Sequence, residues 1–294
     1  MRQTLEFRAP FAGDALLQFL APRATPGVEV VDGSIYRRTI HLDGESGCFQ
    51  AALESSRLTL DIHIPKKRLF PEITSKVGRL FDLDADPVKI ARRLTNDPRL
   101  APLVAASPGL RLPGAWDGFE LAIRAVLGQQ VTVRGATTLA GRLARSFGTA
   151  ITIDGSLTHI FPTPPALAEA DVGRIGLPQA RANTIRSLAR AVCDGKLSFS
   201  DIPDVEAWKS RFCKLPGIGR WTAEYVAMRA LGDRDAFPAS DLGLLRALKL
   251  SHPREAEARS QAWRPWRAYA AIYLWHSAAA QQPARPPRLS TVLQ

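Results

Sequence analysis

The stretch Arg57-Leu58-Thr59-Leu60-Asp61-Ile62-His63-Ile64 alternates polar and apolar residues without interruption. That period of two marks a strand with one buried and one solvated face. Comparable short runs at 4–8, 34–41 and 48–54 are set apart by Asp32-Gly33 and Asp43-Gly44, dipeptides that supply the positive φ of hairpin turns. Helical periodicity follows Asp14 and recurs from Pro71 to about Leu83. Residues 1–85 are therefore predicted to form an antiparallel sheet domain with helices on one face.

From Asp86 onward the apolar positions recur every three to four residues, the spacing of helices that bury one face. Candidate helices lie near 87–95, 116–127, 131–147, 165–172, 179–194, 204–213, 220–231, 241–249, 253–260 and 265–279. Pro and Gly punctuate them, among others at Pro108-Gly109, Pro113-Gly114, Gly148 and Pro238. Residues 86–282 thus read as an all-α region, and the Pro- and Arg-rich 283–294 as a frayed tail. The predicted class is α+β, with no internal repeat.

Charge sharpens this picture. Across 294 residues, 39 Lys and Arg stand against 28 Asp and Glu, a net charge of +11. A balance this basic suits a polyanionic partner, since displacing counterions from phosphates gives affinity without sequence readout. Cys48, Cys193 and Cys213 form no CxxC pair, which argues against a disulfide framework, a structural zinc or an iron–sulfur cluster. The five histidines show no HExxH spacing, so no metal or cofactor is expected. No apolar run approaches the roughly 20 residues of a membrane span. The apolar segment 15–21 is short and lacks a cleavage site, so a cytosolic protein is expected.

Candidate chemistry begins at Lys214-Leu215-Pro216-Gly217-Ile218-Gly219-Arg220-Trp221. One helix ends, a turn with two glycines follows, and a second helix starts. Glycine permits positive φ and close approach of the backbone to a phosphate, and the free amides of the second helix face the anion. Lys214 and Arg220 add charge beside Leu215, Gly217 and Gly219, and Ile218 is expected to tuck between the helices. The alternative is a plain helical turn. Downstream, a Pro-containing loop delivers Ser240 and Asp241 to the start of another helix. Taken alone, such an acid is an ordinary cap.

The segment 215–223 followed by Asp241 resembles the helix–hairpin–helix DNA glycosylases. Within them, the chain is most similar to the bacterial DNA-3-methyladenine glycosylase II type. The likeness runs through Leu80-Phe81-Asp82-Leu83, 108–114, 125–129, Phe161-Pro162-Thr163-Pro164 and Trp263-Arg264-Pro265-Trp266-Arg267. It implies a sheet domain like one half of the TATA-binding protein, then two helical subdomains with the active-site cleft between them. It implies further that Asp241 is the catalytic carboxylate, that Trp221, Tyr225 and Trp275 line the base pocket, and that the loop at Gln129 and Gln130 is the minor-groove wedge. Relatives often carry Leu where this chain has Gln130; an amide can enter a duplex, but apolar wedges are usual. A polar loop with a helix cap is the alternative.

The chemistry of that family fits these residue types. Breaking an N-glycosidic bond leaves an oxocarbenium-like sugar, which a carboxylate stabilises. A purine alkylated at N3 or N7 is cationic and leaves without strong acid assistance, and electron-rich rings attract it. On the residues alone, core packing is the commoner fate of such aromatics, and Trp116, Trp263 and Trp266 are expected there. Strand-cutting relatives place a lysine where this chain has Trp221, and 220–231 contains none. A covalent amine mechanism lacks its nucleophile, so an intact abasic site is the expected product. The expected partner is double-stranded DNA containing alkylated bases, bound by a monomer.

Other charges are read more plainly. Lys209, Lys214 and Lys249 are expected as phosphate contacts or solvated charges, and Glu224 as a surface residue, with a second site carboxylate as its alternative. Arg181, Arg186, Arg190 and the Lys66-Lys67-Arg68 cluster either touch the DNA backbone or are solvated. Two further functions share the same outward features: a glycosylase for oxidised or mismatched bases, and a damage-sensing protein without catalysis.

Overall fold

The computed structural model describes residues 1–280; the predicted tail at 283–294 lies outside them. The N-terminal part runs β1 (Arg2–Glu6), α1 (Gly13–Leu20), β2 (Glu29–Asp32), β3 (Ile35–Leu42), β4 (Glu45–Leu53), β5 (Arg57–His63) and α2 (Phe70–Leu80). All strands pair antiparallel in the order β1-β5-β4-β3-β2. Asp43 and Gly44 both take positive φ, 46° and 76°, as a tight β3–β4 hairpin requires. The alternation of β5 buries Leu58, Leu60 and Ile62 against Leu16, Leu17 and Leu20 of α1 and Ile73 and Val77 of α2. Each such side chain contributes roughly 1.5–3 kcal/mol. β2 escapes the sequence reading because it has four residues, two of them acidic, and no visible alternation.

Helices follow: α3 (Pro87–Leu94), α4 (Ala101–Ala106), α5 (Gly118–Leu127) and α6 (Val133–Phe147). A two-residue ladder of β6 (Thr149–Ala150) and β7 (His159–Ile160) comes next. Then come α7 (Pro164–Ala168), α8 (Gln179–Cys193), α9 (Val205–Phe212), α10 (Arg220–Ala230), α11 (Leu242–Leu248), α12 (Pro253–Ser260) and α13 (Arg267–Ala280). The helix predicted over 165–172 is instead α7 and a separate short turn at Val172–Ile175, because Asp171 (ψ 76°) leaves the helical region. Eight of the ten residues of α5 are buried, and α6, α8 and α10 pack around it. The two cores interleave in sequence: Val28 lies in the helical core, and Trp116 packs against the sheet core.

Four charged side chains, three of them buried, join the sheet to α5. Arg38 reaches Glu120 at 2.7 Å and Glu29 at 3.5 Å, while Arg124 reaches Glu29 at 2.7 Å and Glu120 at 3.0 Å. The Tyr36 hydroxyl donates to Glu29 at 2.6 Å. Burial alone would raise the Glu29 carboxyl, but Arg124 and Arg38 outweigh it, with Tyr36 assisting, and bring it from 4.5 to about 2. A folded-state pKa below the unfolded one stabilises the fold fully above the unfolded value, and the contribution fades as pH falls through the folded value. The effect is on the order of 3 kcal/mol. The thermal midpoint of the parent should therefore fall steeply as pH drops from 4.5 towards 2. Glu29→Gln should be less stable at neutral pH and show a shallower acid limb; equal acid limbs would show that Glu29 is not the group responsible.

Candidate active site

At the end of α9 the Leu215 amide donates to the Phe212 carbonyl (3.1 Å), and the Ile218 amide donates to the Leu215 carbonyl (3.1 Å). Gly217 sits at φ +80°. A Cβ there would collide with Thr184 Oγ1 of α8, so bend and packing both demand glycine. Ile218 is buried between the helices, while Gly217 and Gly219 face solvent. Gly219 caps α10 without any side-chain acceptor, leaving the first amides of that helix without a side-chain partner. Lys214 and Arg220 are exposed alongside.

The α5–α6 loop docks on this hairpin. Gln129 Nε2 donates to the Gly217 carbonyl (2.9 Å) and to Thr222 Oγ1 (3.3 Å), and Arg181 donates to the Gln129 carbonyl (2.7 Å). Gln130 is exposed in the left-handed region at φ 57°, and Thr132 caps α6 through the Gly135 amide (3.1 Å). The two glutamines thus part company: Gln129 is turned onto the hairpin, and Gln130 projects outward.

Three elements converge on Asp241. Trp221 of α10 donates its indole N–H to Oδ2 at 2.9 Å, and Trp275 of α13 donates to Oδ1 at 2.9 Å. Oδ1 also accepts the Leu244 amide at 3.0 Å, so Asp241 is the N-cap of α11 as well as the meeting point of two indoles. Trp221 and Tyr225 stack at 5.2 Å with 9° between planes, and Trp275 meets Tyr225 edge-on at 6.4 Å. All four side chains are partly accessible. Flat electron-rich walls ending in an oriented carboxylate suit a planar cation.

Behind the rings lie residues that sequence reasoning missed. Arg229 donates to the Tyr225 hydroxyl (2.7 Å) and to the carbonyls of Pro113 and Gly114 (2.8 and 3.0 Å). Its spacing of four from Tyr225 on one helix was a usable signal. Arg23, from the sheet region, had none. Burial opposes ionisation of the Tyr225 phenol, but Arg229, Arg23 and Arg124 outweigh it and draw its pKa below the usual tyrosine value.

Two expectations are corrected, those for Glu224 and Lys209. Glu224 is buried, not on the surface, and Lys209 is buried between Glu224 (3.0 Å), Asp233 (2.9 Å) and Glu206 (2.9 Å). Neither is solvated, because each supplies the charge the other needs inside the protein. In the Lys66–Arg68 cluster, Lys66 pairs with Glu45 at 2.9 Å and Arg68 with Asp43. Arg190 pairs with Glu169 at 2.8 Å. Lys249 is exposed at φ 55°, ending α11. Trp116 and Trp263 are core residues, and Trp266 packs at the core's edge. Among the described residues no group of His, Cys, Asp and Glu could hold a metal, and no helix is long and apolar enough to cross a membrane.

Comparison with known proteins adds lineage to this geometry. Residues 2–117 match the AlkA N-terminal domain, and residues 123–268 match the HhH-GPD superfamily base excision DNA repair protein. The chain is 42% identical over 276 residues to a probable bifunctional transcriptional activator/DNA repair enzyme AlkA of Mycobacterium tuberculosis. That match covers 92% of this chain but only 56% of the mycobacterial one, so the chain spans about half the length of that relative. It is 36% identical to DNA-3-methyladenine glycosylase 2 of Escherichia coli, covering 93% of this chain and 96% of that one. In fold it superimposes on a 3-methyladenine DNA-glycosylase from Archaeoglobus fulgidus with a TM-score of 0.83, covering 96% of this chain and all of the other at 24% identity.

Proposed function

The chain belongs to the HhH-GPD superfamily of base excision DNA repair proteins, in the branch that carries the AlkA N-terminal domain, and we propose that it is a monofunctional DNA glycosylase for alkylated purines. The observation that carries this reading is the convergence of both indole N–H groups on Asp241, 2.9 Å each, beside the stacked rings of Trp221 and Tyr225. The hairpin glycines and the uncapped start of α10 hold the phosphate backbone of a duplex. A flipped nucleotide places its methylated purine against Trp221, Tyr225 and Trp275, and its deoxyribose towards Asp241. The bond from C1′ to the base nitrogen breaks, and its electron pair leaves with the cationic purine, which becomes neutral. Asp241 stabilises the positive charge left on the sugar. Water adds at C1′ and loses a proton to solvent, leaving an abasic site.

No amine competes with water in this scheme. Position 221 is Trp, α10 holds no lysine, and Lys209 is locked among three carboxylates. The test is release of 3-methyladenine or 7-methylguanine from methylated duplex DNA, with strand integrity read before any base or amine is added. Free methylated base with unbroken strands is expected. Strands cut by the protein alone would overturn the assignment to hydrolysis, and no release of base would overturn the whole reading.

A further inference from the structure

The proposed reaction makes no use of Glu224, yet this residue is only 4% exposed and one of its contacts reaches the loop that carries Asp241. Its Oε2 accepts the backbone amide of Phe237 at 3.2 Å and meets Lys209 Nζ at 3.0 Å. Its Oε1 meets Arg220, the exposed arginine that follows the hairpin, at 3.3 Å. Burial works against the charge of Lys209, but Asp233 and Glu206, joined by Glu224, prevail and hold its pKa well above lysine's ordinary value. Lys209 therefore stays charged inside the protein.

The contact with Phe237 closes a ring of structure. Trp221 and Glu224 are three apart on α10, one turn of helix. From Glu224 the ring crosses to Phe237. Two successive turns then lead on: the Ala239 amide donates to the Phe237 carbonyl, and the Asp241 amide donates to the Pro238 carbonyl, both at 2.8 Å. Proline's fixed φ stiffens this run. Asp241 Oδ2 finally accepts from Trp221, and the ring is shut.

We propose that Glu224 is a positioning residue: by holding the Phe237 amide it fixes the loop that presents Asp241 to the bound nucleotide. This rests on the role of Asp241 proposed above. The competing role is simple charge balance for Lys209, and chain chemistry separates the two. Glu224→Asp keeps the charge but withdraws it by one methylene; the flexible lysine can follow, the backbone amide cannot. Glu224→Gln keeps the reach, and its carbonyl oxygen can still accept the Phe237 amide. Its amide group then faces Arg220, which is free to swing into solvent.

Three readouts decide. They are the single-turnover rate of base release from methylated duplex at saturating protein, the affinity for an abasic duplex, and the thermal midpoint. Misplacement of a catalytic group by about 1 Å can cost up to ~100-fold in rate. E224D should be slowed at least ~10-fold with affinity within about threefold and a midpoint lowered by the lost acceptor of the buried amide, whereas E224Q should keep at least a third of the rate despite a lower midpoint. The reverse order, or equal losses in both, would overturn the proposal and leave Glu224 a counter-ion. If E224D does not fold, hydrogen exchange at the Phe237 amide decides, since protection must survive in E224Q and its loss there overturns the proposal. A parent that releases no base marks a different failure, that of the glycosylase reading, and takes this inference with it.

Discussion

Asp241→Asn is expected to slow base release from methylated duplex DNA by roughly 100- to 1,000-fold while leaving duplex affinity within about threefold. The substitution removes the one formal negative charge placed among the rings and changes little else. Asn still offers Oδ1 to the Leu244 amide, so the cap on α11 survives. Its amide group then faces the Trp221 indole N–H, which now bonds to Oδ2, and two donors cannot satisfy each other. That mismatch should cost about 1 kcal/mol of stability, too little to empty the folded state. Asp241→Ala is the poorer experiment because it also deletes the cap. The measurement is a single-turnover time course beside a binding isotherm on the same duplex. Release at the parental rate would sink the proposed chemistry, and loss of rate matched by loss of binding would show a damaged fold instead.

Gly219→Ala should weaken duplex binding about tenfold at unchanged thermal midpoint, whereas Gly217→Ala should lose both binding and stability. The two glycines look alike in sequence but answer to different demands. Gly219 has φ −97°, which any residue adopts, and a Cβ there meets nothing within 4 Å. The protein alone would tolerate alanine, even gain slightly from a stiffer unfolded chain. Only an incoming phosphate drawn close to the backbone would meet the added methyl. Gly217 combines φ +80° with Thr184 pressed against it, so alanine strains the turn and pushes α8 away, a loss of about 1–3 kcal/mol. For G219A the salt dependence should change too, each lost phosphate contact lowering the slope of log K against log salt by about 0.9. Binding by G219A equal to the parent would remove the hairpin from the DNA interface.

Local rules carried the sequence reading a long way. Alternation and Asp-Gly turns predicted four of the five sheet strands, and the three-to-four-residue spacing predicted most helices to within a few residues, because the forces concerned act within one turn or one hairpin. The same reasoning failed where an element is short or irregular, as at β2, at α4 and at the break after α7. Of the candidate site, motif spacing marked the hairpin, Asp241 and the aromatic residues as a group, but the residues alone could not separate a helix cap from a reaction-centre carboxylate.

Only the tertiary structure decided that Asp241 is a cap and also the acceptor of two indoles 20 and 34 residues away. It alone moved Glu224 and Lys209 from solvent to the interior, and brought Arg23 from the sheet region to Tyr225. A single chain's pattern records whether a position favours water, and on which face, because that preference belongs to the residue and its near neighbours. It does not record which distant partner will neutralise a charge or accept a hydrogen bond. That choice is made only when packing excludes water and each buried polar atom must find a partner within about 3 Å.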